Sequence, residues 1–438
     1  MMRTYLIHFC FLFFYLQPLF VLAQPDSLAR HGLWQAELRF ADPGITVRTV
    51  DPDGAAARAG LRPGDRILKI NGHSIPDQIA YEKMRRSLKA GQPAVLLLQR
   101  GPDVLETTIS LAPYPREHTP GLDTRYGSLV TAHGDRLRTI STRPAGVAGK
   151  LPAILFVQWL SCSPPEQHWR FRDGWAAMVQ EISRGGYHVL RVTKPGVGDS
   201  EGPDCADYGF NYELETYRAA LQYLRNMPEV DTSRIFLFGG SMGGSMAPII
   251  AQQENLKGII VSGCYVKTWY EHMLEIERRI STLSGDSPAT TNEKMKTWSA
   301  FYAMYLNEKM TPEEIFKAHP EYRSLWNEPP RHQYGRPAHF YMEANEHNIA
   351  AYWEKLNLPV LVIYGEYDWI MSREDHVLIA DIMNRKKSGL GTFLEIPGMD
   401  HQLVIYPSLQ EAFSGFSYKF DTTVAEKAVA WLAEILKK

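Results

Sequence analysis

Apolar runs recur along most of the chain, in two styles. Ahead of residue 112 they are short and mixed with polar positions: "GITVRTV" at 44–50, "RILKING" at 66–72, "AVLLLQR" at 94–100 and "LETTISL" at 105–111. This patterning predicts strands, with one helix over 77–90 between them. From residue 126 the runs become nearly continuous: "AILFVQW" at 153–159, "HVLRVTK" at 188–194, "RIFLFG" at 234–239, "GIIVSG" at 258–263, "PVLVIYG" at 359–365 and "TFLEIPG" at 392–398, with helical patterns between. A strand that is apolar throughout is buried on both faces, as in a parallel sheet covered by helices. "SLVTAHGDRLRTIST" adds a hairpin turning at His133-Gly134-Asp135. The predicted fold class is α/β, with a doubly wound, mostly parallel sheet behind a small β-rich domain.

The breaks in this pattern set the domain boundaries. "APYPREHTPGLD" carries three prolines and few apolar residues, so 113–125 reads as a linker between a front module at 28–112 and a large domain at 126–438. The stretch 264–358 is longer than one crossover needs, and "KTWYEHMLEIERRISTL" and "NEKMKTWSAFYAMYLNEKM" within it are helical and aromatic-rich. Residues 265–356 are therefore expected to form an inserted helical cap. Its Trp298, Phe301, Tyr302 and Tyr305 either line a pocket or pack the core of the cap.

The 438 residues carry a formal net charge of only -2, which argues against nucleic acid as the main partner. The N-terminus, "MMRTYLIHFCFLFFYLQPLFVLAQ", has one Arg, an apolar run and then Val21-Leu22-Ala23. It reads as a signal peptide over 1–23 cleaved after Ala23, with an uncleaved anchor as the alternative. The expected location is outside the cytoplasm, periplasmic or secreted, with no membrane span after cleavage. Cleavage would leave Cys162, Cys205 and Cys264, without metal-ligand spacing, and neither a metal nor a cofactor is implied.

The pattern G-x-S-x-G occurs twice, as "GDSEG" around Ser200 and "GGSMG" around Ser241. A nucleophile elbow needs a strand running straight into the serine and a helix leaving it, with glycines where the sharp turn would crowd a side chain. "RIFLFGGSMGGSMAPIIAQQ" meets those conditions, with the helix expected over 245–253. "HVLRVTKPGVGDSEGPDC" does not, because Pro195 and two glycines separate its strand from Ser200, and Gly202-Pro203 forbid a helix after it. Ser241 is the candidate nucleophile, Ser200 a structural loop residue, and Ser245 lies inside the helix rather than at the turn.

Two resemblances follow from these residues. Ala57, Ala59-Gly60-Leu61, Pro63-Gly64-Asp65, Ile67 and Ile70-Asn71-Gly72 make the front module similar to a bacterial-type PDZ domain. That implies capture of extended peptides or peptide C-termini, with the carboxylate loop near Gly32-Leu33-Trp34. Tyr81, Met84 and Leu88 share a helical face that either lines this groove or packs on the sheet. The elbow at Ser241, together with "KPGVGDSEG" and the late strands, resembles the alpha/beta-hydrolase superfamily across 126–438, nearest its dienelactone-hydrolase and prolyl-oligopeptidase-like branches.

The chain order in that superfamily is Ser, then acid, then His, which implies Asp368 after "PVLVIYGEYD" and His401 after "TFLEIPGMDH". Glu366 and Asp400 are rival acids. The oxyanion donors implied are the N–H of Met242 and one in the loop after "AILFVQ", with Leu160 preferred to Trp159. The same topology makes the strands before Cys162 and Cys205 neighbours, so these two cysteines are expected to form a disulfide and Cys264 to remain a buried thiol.

The expected activity is hydrolysis of an acyl ester through a Ser-His-Asp acyl-enzyme, on a small-molecule ester or a peptide. A prolyl-oligopeptidase-like peptidase and a non-catalytic peptide-binding scaffold are the alternatives. The front module is expected to be separable from the chemistry.

Overall fold

The computed structural model describes residues 27–168, 173–415 and 419–437. Residues 1–23, expected to be a signal peptide, lie outside the described residues. Among the described residues no helix is long and apolar enough to cross a membrane.

The large domain is built on an eight-stranded sheet. Its order from one edge is Gly391–Ile396, Val360–Gly365, Gly258–Ser262, Val230–Gly240, Leu151–Val157, His188–Val192, Arg136–Pro144 and Leu122–Val130. Arg136–Pro144 runs antiparallel to both its neighbours, and the remaining pairings are parallel. Successive side chains of a strand point to opposite faces. In Leu151–Val157 this sends Ala153, Leu155 and Val157 into one apolar cluster and Ile154 and Phe156 into another. Helices Phe210–Arg225 and Met242–Ile250 cover the first face. Gly174–Arg184 and Thr423–Ile435 cover the second.

The cap rises from the strand Gly258–Ser262 through Trp269–Leu283, Pro288–Tyr302, Pro312–Ala318 and Ala338–Glu346. Its helices have well-defined starts. Thr268 with Glu271 and Thr311 with Glu314 form reciprocal capping boxes, while Ser287 caps a helix opened by Pro288. Phe301, Tyr302 and Tyr305 are fully buried, stacked among Phe316, Trp326 and one another, with Trp298 on Tyr302. Of the two readings of these four aromatics, packing of the cap core is the one observed.

The front module is an antiparallel sheet in the order Ala36–Phe40, Ile45–Val50, Arg66–Ile70, Pro93–Arg100, Asp103–Ser110, with the helix Gln78–Ser87. The strand Ala36–Phe40, absent from the sequence pattern above, sits at an edge and leaves one side of its backbone unpaired within this sheet.

The segment 113–125, expected as a linker, is tied to the structure along its length. Ala112–Pro113 pairs with Gly32–Leu33, and Leu122 already opens the first strand of the large domain. Between them the Glu117 carboxylate takes both ends of the Arg191 guanidinium, at 2.7 and 2.9 Å, in a pair that is 2% exposed on each side. Prolines set the path of this segment, but a buried ion pair fastens it down.

Candidate active site

The strand Val230–Gly240 ends one residue before Ser241, and the helix Met242–Ile250 begins one residue after it. Ser241 adopts φ 55° and ψ -126°, a strained backbone for a residue with a side chain. The glycines permit it. A Cβ on Gly239 would fall 2.5 Å from the carbonyl oxygen of Gly243, and one on Gly243 would fall 2.1 Å from that of Val157.

His401 and Asp368 lie in the loops after the strands Gly391–Ile396 and Val360–Gly365, as their order in the chain implied. His401 Nε2 is 2.9 Å from Ser241 Oγ, and His401 Nδ1 is 2.9 Å from Asp368 Oδ2. Asp368 Oδ1 accepts the N–H groups of Ile370 and Met371 at 3.0 and 2.9 Å. An ionised carboxylate only accepts, so Nδ1 carries the imidazole proton and Nε2 is free to take one from Ser241.

Burial alone would push the Asp368 carboxyl up, yet the charge and hydrogen bond of His401 hold it below the ordinary value. Burial would likewise lower His401, and Asp368 raises it instead. Gly263, at φ +59°, leaves room for the ring, since a Cβ there would sit 2.9 Å from two imidazole atoms.

The rival residues are occupied elsewhere. Glu366 Oε2 accepts the N–H of Gly398, and Asp400 Oδ1 accepts those of Gln402 and Val404, shaping the turn that carries His401. Ser245 Oγ donates to the carbonyl of Tyr265. Ser200 Oγ donates to the carbonyl of Thr193 and accepts the N–H of Arg138, both at 2.9 Å.

Met242 is the first residue of its helix, where N–H groups have no partner within the helix, and Leu160 lies in the loop after Leu151–Val157. Both line a cavity of about 1060 Å³ with Ser241 and His401. Among the described residues neither amide donates a hydrogen bond to another backbone group outside regular structure. The disulfide Cys162–Cys205, with Cα atoms 5.8 Å apart, closes the loop that holds Leu160, and Cys264 is a buried free thiol.

The cap contributes Trp269, His272, Ile276 and Ile280 to the cavity, one face of its first helix at helical spacing. That spacing was present in "WYEHMLEIERRI" and marks a face, although not which side of the helix meets the site. Burial pulls the His272 imidazole down to about 3, so it stays neutral there.

The front module forms the opposite wall. Gly32, Leu33 and Trp34, where the carboxylate loop was expected, line the same cavity, as do Leu38 and Phe40 of the edge strand. Of the three groove residues expected on the helix, only Tyr81 lines it. Leu88 falls after the helix ends at Ser87 and is buried in the module core, with Met84 packed against that core. The helix face towards the cavity carries Gln78, Glu82 and Arg85 instead.

Two charged anchors hold this wall in place. Arg30 donates to Asp199 at 2.8 Å and to Glu166 at 2.6 Å, and His31 Nδ1 lies 2.7 Å from Asp199. Arg86 makes a double hydrogen bond to Asp204, while Lys89 donates to the carbonyl of Gly198. Most of these acceptors belong to the "GDSEG" loop and the residues just beyond it, a role its sequence did not announce.

Comparison with known proteins agrees with this architecture. The family model described as "Serine aminopeptidase, S33" matches residues 173–407, and that of the PDZ domain matches residues 46–100. Esterase EstD of Thermotoga maritima is 22% identical over 235 residues, 53% of this chain and 50% of its own. Quorum-quenching protein AidA of Acinetobacter baumannii is 28% identical over 88 residues, 20% of this chain and 29% of its own. The matches thus span half or less of these relatives' own length. The structure of Est1E from Butyrivibrio proteoclasticus with ferulic acid bound is 18% identical, with a TM-score of 0.46 over 72% of this chain and 100% of that one. The elbow, the sheet and the family model converge, and the chain belongs to the serine aminopeptidase S33 family of alpha/beta hydrolases, with a PDZ domain in front.

Proposed function

We propose that the protein is an exported serine hydrolase that cleaves acyl esters through an acyl-enzyme, its PDZ module serving as the substrate-facing wall of the cleft. The observation that carries this reading is the relay of two 2.9 Å hydrogen bonds from Asp368 through His401 to Ser241, buried at the base of the cavity. Ser241 Oγ attacks the ester carbonyl as its proton passes to His401 Nε2. The oxyanion that forms is held by the Met242 and Leu160 N–H groups. His401 then gives the proton to the leaving alcohol, a water molecule attacks the acyl-enzyme with His401 again as base, and the carboxylic acid departs.

An ester is favoured over an aminopeptide by the acids of the cavity. An aminopeptidase needs a free carboxylate for the substrate's ammonium group, whereas Glu166 is paired with Arg30, Glu82 with Arg85, and Asp173 caps the helix Gly174–Arg184. A peptidase acting inside a longer chain is the second reading, supported by the edge strand Ala36–Phe40 bordering the cavity, since such an edge can take an extended peptide as an added strand. Kinetics of the purified protein on p-nitrophenyl acyl esters, aminoacyl p-nitroanilides and internally quenched peptides separates the two. Preference for esters supports the proposal, and peptide cleavage without ester turnover contradicts it.

A further inference from the structure

A lysine with no exposed side-chain surface lies against the loop that carries Leu160. Lys194 Nζ donates to the carbonyl of Trp159 at 2.6 Å and to that of Leu160 at 3.1 Å, with the carbonyl of Ser161 at 3.4 Å. Glu213 Oε1 is 3.0 Å from the ammonium, and its other oxygen is 2.5 Å from Arg336 of the cap, all three side chains being 0% exposed. A buried ionic cluster of this kind is a poor device for stability, because desolvating the charges offsets most of their attraction. Its position suggests a different use.

The peptide between Trp159 and Leu160 is trans, the cis bond in the described chain being Asp42-Pro43. In a trans peptide the C=O of one residue and the N–H of the next point in opposite directions. Fixing the Trp159 carbonyl on Lys194 therefore turns the Leu160 N–H away from the lysine. Lys194 does not border the cavity, whereas Leu160, Met242 and Ser241 do. We infer that Lys194 is a positioning residue for the oxyanion site, holding the Trp159–Leu160 peptide plane so that the Leu160 N–H faces the oxyanion that forms when Ser241 attacks the carbonyl carbon.

The inference rests on the proposed role of Ser241 and adds to it a reason for the buried charge. The disulfide Cys162–Cys205 restrains the same loop two residues further along, whereas Lys194 bonds directly to the carbonyl of this peptide. Glu213 and Arg336 carry the restraint across to the cap, where the Arg336 guanidinium lies 4.2 Å from the Phe340 ring centroid.

The test compares the parent with Lys194→Met and Lys194→Gln. The readouts are p-nitrophenyl butyrate turnover and inhibition by a trifluoromethyl ketone and its methyl ketone counterpart. The fluorinated ketone adds to the serine and places an oxyanion in the hole, while the methyl ketone mainly fills the pocket. Lys194→Met is expected to lower kcat about 100-fold, the scale of a misplaced or missing oxyanion donor, with little change in KM. Affinity for the trifluoromethyl ketone should fall with kcat, and affinity for the methyl ketone should hold. Lys194→Gln keeps N–H donors without charge and should recover part of the loss. If Lys194→Met does not fold, the same selective loss in Lys194→Gln carries the proposal. Equal weakening of both ketones, or unchanged kcat in the variants while Ser241 remains the labelled residue, overturns the proposal alone. Turnover that survives Ser241→Ala in the parent overturns it together with the reading beneath it.

Discussion

The two G-x-S-x-G segments share a five-residue pattern and almost nothing else. At Ser241 the strand stops one residue earlier and a helix starts one residue later, so the side chain is held at φ 55° facing the cavity. At Ser200 a loop intervenes, the hydroxyl is spent on Thr193 and Arg138, and the neighbouring Asp199 collects Arg30, His31 and Arg138. One copy presents a serine to the cavity, and the other uses its polar groups to dock the front module. The difference lies in what the flanking residues allow the backbone to do, since both serines are buried.

The largest expected effect separates the two directly. Ser241→Ala should cost on the order of a millionfold in ester turnover, the scale seen when the serine of such a set is removed. Ser200→Ala should leave kcat within a small factor. Comparable losses at both serines would dissolve the contrast.

Asp368→Asn follows, with kcat down on the order of 10⁴-fold, because the orienting acceptor for His401 is lost. Its pH profile adds a sign. Asp368 raises the His401 pKa above its ordinary value of about 6.5 while burial alone would lower it, so parent activity should rise with pH through a limb above that value. In Asp368→Asn the residual activity should show the limb at lower pH. A limb that stays in place would mean that another group sets it.

The front module gives the third effect, and the buried ion pairs across its boundary argue against a separable part. A chain beginning at Leu122 loses Glu117 from Arg191, and both Arg30 and His31 from Asp199. Asp199 keeps Arg138, but Arg191 is left without its carboxylate, and breaking a buried pair costs about 3–5 kcal/mol. Such a chain is expected to unfold at markedly lower urea and to lose small-ester activity. Asp199→Ala should destabilise in the same range and expose the module to proteolysis without moving the nucleophile away from Ser241. A stable, fully active chain from Leu122 would restore the independent module.

The smallest effect is the stability of Ser200→Ala. The hydroxyl bridges the Arg138 N–H and the Thr193 carbonyl in a buried site, and an orphaned buried group costs about 1–3 kcal/mol. A shift in the urea midpoint with an unchanged slope would measure it.

Much of this was legible in the sequence because strong local constraints carry it. Continuous apolar runs marked the strands of the buried sheet, and Gly239, Gly240 and Gly243, set directly between a strand and a helix, marked Ser241 as the serine at a sharp turn. Asp368, His401 and the Cys162–Cys205 pairing came from order within a known topology, and the structure brings each set together.

What sequence reading missed lies where partners are distant in the chain. The edge strand Ala36–Phe40 has a half-buried, half-exposed pattern too short to stand out, and the cavity reveals its role. Met84 and Leu88 followed helical spacing, but the helix ends at Ser87 and its cavity face is turned by about one residue. Charges in a linker look solvated until their partner is known, as with Glu117, whose Arg191 lies 74 residues away. Lys194 reads as the polar end of a strand, and nothing local indicates that it enters a buried cluster.

The central claim, that Ser241 and not Ser200 is the nucleophile, is tested most directly by a covalent label. Treating the parent, Ser200→Ala and Ser241→Ala with a fluorophosphonate and mapping the adduct by peptide mass spectrometry locates the reactive hydroxyl. The account predicts one modified residue, Ser241, in the parent and in Ser200→Ala, and no adduct in Ser241→Ala. An adduct on Ser200, or labelling that persists in Ser241→Ala, would contradict it.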